Sequence, residues 1–333
     1  MDPWFAVAFF AIAGSVFLLT VVAERILIPI LRDKKLGQKI LEIGPNWHKS
    51  KEGTPIMGGL GFILAALLVM AVFFAVQAAK GSAARLIPLA LSLGFAVANG
   101  AIGFVDDYCK LIRKQNEGLT VWQKLVLQIA IAAGYLCVLS YTGYFSTALE
   151  LPFSDATLEL GWFAYPIALM ILVLVINGGN FTDGLDGLAS SVTGVGGLFL
   201  AVMAFCTVDL QLSALSAVLV GATAGFLIFN RHPADVFMGD TGSLFLGAMI
   251  AAAGFQTGEI LIGVLVAGVF ILEFCSSLLQ MAVFKLTHGK RLFKMAPIHH
   301  HFERCGWNEN KVVVVFSAVE LLFCILAGFA LFA

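Results

Sequence analysis

Apolar runs long enough to cross a bilayer alternate along this chain with short polar segments. A bilayer core needs about 20 apolar residues of helix. Ten runs meet or approach that length: 4–31, 57–79, 86–105, 122–142, 162–178, 188–207, 212–229, 243–256, 259–286 and 311–332. The pattern predicts an all-α integral membrane protein with about ten transmembrane helices, forming one polytopic domain over residues 1–333. The eighth run is short, and the fifth and eighth have Gly-rich or polar ends. The first run has no basic segment before it and no small-residue cleavage site after it, so it reads as a retained helix and not a removed signal. The 143–161 connection alternates around Ala148–Leu151 and Thr157–Leu160, which predicts a small hairpin.

Composition agrees. The chain is 60% hydrophobic and 12% charged, with mean hydropathy +0.95, against about 25% charged residues in an ordinary soluble domain. A net charge of −1 argues against a nucleic-acid partner. The six cysteines are scattered without a CxxC pair, so they predict neither a disulfide framework nor a zinc site. Charge placement says more than its total. The polar segments 32–55, 106–124, 230–242 and 285–311 hold six, four, one and six Lys or Arg. The opposite connections hold only Lys80 and Arg85, and Arg25 lies inside the first run. Positive residues stay on the cytoplasmic side, so these four segments are expected there, with both termini extracytoplasmic.

The same four segments carry the polar groups that apolar helices do not need. Asp106-Asp107 closes the third run. The pair reads either as a solvated helix end balanced by Lys110 or as a magnesium or general-base site, since Mg²⁺ takes one or two carboxylates plus phosphate oxygens. Asn177, Asn180, Asp183 and Asp186 recur every third residue. Glycines at 178, 179, 184 and 187 argue against a continuous helix there and allow close backbone approach to a ligand. Asp240 opens the eighth helix. It serves either as its N-cap or as a metal ligand beside helix amides that face a phosphate. His299-His300-His301 follows a proline, and phosphate contact is preferred over a soft metal site or a pH sensor. Lys49, Lys51, Lys110, Lys114 and Lys124 together suit an anionic substrate. GxxxxGK[ST], GxSxG and HExxH are all absent. Glu24, Glu273 and Glu320 lie within runs, Glu24 next to Arg25 as an expected structural pair.

Three acidic stretches, Asp106-Asp107-Tyr108, Asn180 to Ala189 and Phe237 to Ser243, resemble the polyprenyl-phosphate N-acetylhexosamine-1-phosphate transferases, and a fourth, Pro297 to Glu303, carries the histidine run. The histidine run and the Thr54-Pro55-Ile56-Met57-Gly58-Gly59 turn resemble the phospho-N-acetylmuramoyl-pentapeptide transferase branch, which usually has a second Thr where this chain has Ile56. The resemblance implies transfer of phospho-MurNAc-pentapeptide from UDP-MurNAc-pentapeptide to undecaprenyl phosphate, giving lipid I and UMP. It further implies Mg²⁺ as cofactor, the bacterial cytoplasmic membrane, an active site on its cytoplasmic face and a homodimer. It makes Asp240 the expected Mg²⁺ ligand, with Asp107 assisting or positioning the metal, and Asp106 the base. Asn180, Asp183, Gly184, Leu185 and Asp186 would line the nucleoside site, with Phe237 on uracil, Gln280 at its edge and Asn230 shaping the pocket. Lys51, His299 and His300 would bind the donor, within a substrate-binding set that also takes in Lys110, Lys124, Asn177 and His301. The ninth run, with glycines at 258, 263 and 268, permits a bend that would open a lipid-facing groove.

Three competing readings fit less well. A sister transferase of another sugar phosphate does not account for the histidine run. A secondary transporter places its site near the bilayer midplane, whereas these acids sit at the ends of runs. A membrane scaffold explains none of the acid and histidine clusters.

Overall fold

The computed structural model describes residues 3–33, 51, 53–113, 118–150, 156–258 and 260–332. Lys49 and Lys114 therefore lie outside the described residues. The rest form twelve α-helices, two short 3₁₀ turns and one hairpin. The helices are α1 (Pro3–Asp33), α2 (Gly59–Ala79), α3 (Ile87–Arg113), α4 (Val121–Tyr141), α5 (Ala164–Thr182), α6 (Leu188–Thr207), α7 (Leu210–Asn230), α8 (Gly239–Gln256), α9 (Ile260–Val266), α10 (Gly268–Leu286), α11 (Ile298–Glu303) and α12 (Glu309–Phe332). The hairpin pairs β1 (Ala148–Glu150) with β2 (Thr157–Glu159) in antiparallel register, at the position the alternation predicts.

Nine helices among the described residues are long and apolar enough to cross a membrane, making this a multi-pass membrane protein. The eighth expected span, 243–256, falls in α8, which is not one of the nine. Its ends carry Gly239-Asp240-Thr241-Gly242-Ser243 and Gln256, which dilute its apolar character. Residues Thr241–Gly254 are buried throughout, so the surroundings of α8 are other helices, not lipid. Small residues let backbones approach closely in such a setting. A Cβ at Gly59 would overlap Gly242, and one at Gly179 would stand 3.0 Å from the Gly247 Cα.

The second difference concerns α5. The glycines at 178 and 179 do not end it; the helix continues through Asn180 to Thr182. They are contact points instead. Gly178 lies against the Phe270 backbone on α10, and Gly179 against α8. Close packing on two sides fixes a helix whose intrinsic propensity at Gly-Gly is poor.

The ninth run is divided. Ala267 (φ −104°, ψ 20°) separates α9 from α10, and the side chain of Glu320 on α12 accepts a hydrogen bond from the Val269 amide at 2.9 Å. An intramembrane acid thus satisfies a backbone donor that the break sets free, as an apolar layer requires. Glu24 is different. It is fully buried against Gly61, neither carboxylate oxygen has a hydrogen-bond partner among the described residues, and neighbouring Arg25 faces outward. The expected Glu24–Arg25 pair is therefore not formed, because adjacent residues on a helix point about 100° apart.

Candidate functional site

The C-terminal ends of α3, α5 and α7 meet the N-terminal ends of α8 and α12, with α11 beside them. Most of the sequence-predicted polar residues gather here, in three connected groups.

In the first group, Asp107 reaches from α3 to the start of α8. Its carboxylate accepts hydrogen bonds from the Asp240 amide (3.2 Å), the Thr241 amide (2.9 Å) and the Thr241 hydroxyl (2.7 Å). This corrects two expectations. Asp240 is not the N-cap of α8, which begins at Gly239 after Met238 without a side-chain cap. The helix amides expected to face a phosphate are occupied by Asp107. A helix leaves its first amides without partners, and here another helix supplies the acceptor. Gly239 makes this possible, since its φ of +71° suits glycine and a Cβ there would overlap the Asp107 carboxylate.

Asp240 is thereby free to point its carboxylate sideways. It accepts from Asn180 Nδ2 at 3.0 Å and from Lys124 Nζ at 2.9 Å. Asn180 also donates to Ser243 Oγ at 2.8 Å. Lys110 Nζ lies 2.6 Å from Asp106, 3.5 Å from Asp240 and 3.8 Å from Asp107. Asp106 is fully buried, and its Oδ1 accepts from the Leu119 amide at 2.7 Å. Each of Asp106, Asp107 and Asp240 offers an oxygen within 4.8 Å of the others. Three hard oxygen donors tempered by two lysines form a place for a divalent cation or for a transferring anionic group.

The second group joins four distant segments. Lys51 Nζ lies 2.7 Å from Asp186 and 2.6 Å from Glu309. His232 Nδ1 stands 2.8 Å from the other Asp186 oxygen, which also accepts from the Ala234 amide. Glu309 accepts from the Asp186 amide at 3.2 Å. Asn230 holds the loop beneath. Its Oδ1 accepts from Gly187 N and Ser190 Oγ, and its Nδ2 donates to Val236 O. Between the two groups lies Asp183, just past α5. Burial first, and then the negative charges of Asp240, Asp107 and Asp186, hold its carboxyl well above the ordinary range, with Lys51 opposing. Gly184 and buried Leu185 continue this turn. Phe237, half-buried, is tied to the Thr54–Gly58 segment by Phe237 N to Pro55 O and Gly58 N to Phe237 O.

The third group is the histidine run on α11. His299 is buried, with Nδ1 3.0 Å from Glu273 of α10. His300 Nδ1 lies 2.6 Å from Glu303, and His301 Nδ1 accepts from the Lys294 amide at 3.1 Å.

Two predicted site residues stand apart. The Gln280 amide is committed to the loop after α10, accepting from Leu292 N and Phe293 N and donating to Phe293 O. Asn177 donates to Gln128 on α4 and to Val173 O, one turn behind Asn180. The sequence reading did not single out His232, Glu309 or Gln128. Glu309 reads as an acid at a helix start, where the dipole favours one. His232 reads as a lone histidine in a turn.

A model of glycosyl transferase family 4 matches residues 89–258. Curated relatives named phospho-N-acetylmuramoyl-pentapeptide-transferase match nearly end to end. That of Halalkalibacterium halodurans is 43% identical over 311 residues, 93% of this chain and 94% of its own. That of Clostridium kluyveri is 43% identical over 313 residues, 94% of this chain and 96% of its own. That of Bacillus subtilis strain 168 is 43% identical over 310 residues, 93% and 94% of the two chains.

Proposed function

The chain belongs to glycosyl transferase family 4, among the phospho-N-acetylmuramoyl-pentapeptide-transferases, and from that premise we propose that it transfers phospho-MurNAc-pentapeptide from UDP-MurNAc-pentapeptide to undecaprenyl phosphate, giving lipid I and UMP. The observation that carries this reading is the convergence of Asp106, Asp107 and Asp240 with Lys110 and Lys124 at one end of the helices. Phosphoryl transfer between two anions asks mainly for charge neutralisation and in-line positioning, and this cluster offers both.

Mg²⁺ fits the donor set, since three carboxylates are hard oxygen ligands. Asp240 is the first candidate ligand and Asp107 the second, because Asp107 already accepts three hydrogen bonds. The ion would supply charge neutralisation to the donor diphosphate. Asp106 takes the proton of the lipid phosphate, with Lys110 beside it to hold the carboxylate in place. Lys124 draws the acceptor's phosphate toward Asp240. The turn Asp183–Asp186, with Asn180, Lys51 and Phe237, receives the uridine end, and Asn230 keeps that turn in shape. The clustering of Lys and Arg in the four polar segments supports a cytoplasmic site and extracytoplasmic termini. A homodimer completes the proposal.

The test is UMP release by the detergent-purified protein given both substrates. Release that needs the lipid, stops with EDTA and falls about 10³-fold in Asp240→Asn is the expected result. Well-folded protein that releases no UMP from this donor, yet does so from UDP-GlcNAc, would replace the proposal with the sister reaction. Full activity of Asp240→Asn would remove that residue from the metal.

A further inference from the structure

Of the three adjacent histidines, His299 is built differently. His300 pairs with Glu303 on its own helix, and His301 accepts the Lys294 amide. His299 instead crosses to α10, where Glu273 lies wholly buried within a membrane-crossing helix. The contact is part of a two-point dock. Ser276, three residues on from Glu273, accepts the Ile298 amide at 3.0 Å through its Oγ and donates to the Glu273 carbonyl at 2.7 Å. One turn of α10 therefore fixes both the start of α11 and the ring of its first histidine.

That dock decides which ring nitrogen does what. A carboxylate only accepts, so the proton on Nδ1 faces Glu273. The other nitrogen, Nε2, is buried and has no hydrogen-bond partner among the described residues. It is aimed at Gly184, in the turn between Asp183 and Asp186; a Cβ at that position would overlap Nε2. A buried polar atom without a partner is uncommon, and in a site of this kind it marks the place of an absent group. The glycine leaves that approach open.

We propose that Glu273 is the positioning residue of His299: it holds the Nδ1–H form and turns Nε2 onto the Asp183–Asp186 turn, where Nε2 accepts a hydrogen bond from an N–H or O–H group of the nucleotide donor. This rests on the transferase reading above. Glu273 never touches substrate; it acts only through His299.

The experiment measures kcat and KM for UMP release by the full-length protein in detergent, for Glu273→Gln, Glu273→Asp, His299→Ala and the Glu273→Gln/His299→Ala double variant. We expect Glu273→Gln to lower kcat about 10- to 100-fold, with KM for the nucleotide donor within about threefold. Glu273→Asp restores part of that loss, and the double variant is no slower than His299→Ala alone. Wild-type kcat in Glu273→Gln, beside a crippled His299→Ala, overturns the proposal. A second measurement needs no turnover. In protein labelled with ¹⁵N-histidine, the resonance missing from His299→Ala should show a protonated Nδ1 and should move in Glu273→Gln. If it does not move, the pairing is wrong even where activity has fallen through misfolding. Wild-type protein that releases no UMP would sink the transferase reading itself, and the ¹⁵N spectrum would still decide the role of Glu273.

Discussion

The two carboxylate clusters at the working end are built on opposite plans. In the Asp106–Asp107–Asp240 cluster, helix ends do the positioning: α3 caps α8, and the lysines fill what remains. In the Lys51–Asp186–His232–Glu309 cluster, side chains from four separate segments hold one another. The first is anchored to backbone and carries an excess of acid over lysine. The second has the same excess of one acid, but its single lysine is held by both of its acids and its members come from separate segments. The difference separates two tasks. A rigid, acid-rich cluster suits a metal and reacting phosphates, whereas a cross-linked loop cluster suits a site that must admit and release a bulky ligand.

The largest expected effect breaks the first plan. Asp107→Asn keeps the shape but weakens the cap on α8 and so misplaces Asp240. Turnover should fall about 10²-fold, as expected when a group is misplaced by about 1 Å, with loss in kcat rather than KM. An unchanged kcat would mean that α8 holds Asp240 without help. A smaller effect is expected from the second plan. Glu309→Gln removes one of the two acids holding Lys51, and KM for the nucleotide donor should change about tenfold while kcat stays within about threefold. A loss confined to kcat would join the two clusters into one machine.

The smallest effect lies between the clusters, at Asp183. Its carboxyl is raised in the folded protein, so ionising it there costs stability. The sign follows directly: the folded state favours the protonated form, and that advantage is lost as pH rises above the ordinary carboxylate range. Asp183→Asn, a permanently neutral mimic, should melt on the order of 2 °C higher than the unsubstituted protein near pH 7. The gap should close as pH falls toward about 4. A gap independent of pH would assign the effect to packing.

The sequence carried the first cluster but only Lys51 and Asp186 of the second, missing His232 and Glu309, for a physical reason. Asp106-Asp107 and Asp240 sit at the edges of long apolar runs, where any charge is conspicuous. Lys51, Asp186, His232 and Glu309 sit in polar segments or at a helix start, where charge is ordinary, and only folding brings them together. Helix content was legible for the same reason as the first cluster, because lipid imposes a length and a composition on each span. What periodicity does not reveal is a helix surrounded by helices. The eighth run escapes the lipid rule, and the glycines read as helix breakers in α5 turn out to be its contact points with α8 and α10. Single-residue partnerships such as Glu320 with Val269 are likewise invisible, since they depend on which helices become neighbours.

That last partnership bears on the order of manufacture. Helix α10 leaves the ribosome before α12, so during synthesis the Val269 amide has no Glu320 to receive it. The same late helix brings Glu309 to Lys51. Until α12 arrives, the nascent chain carries both an unmatched backbone amide at the α9–α10 break and a site lacking one acid. A chain halted before α12 would be recognisable to membrane quality control by the first defect and idle through the second.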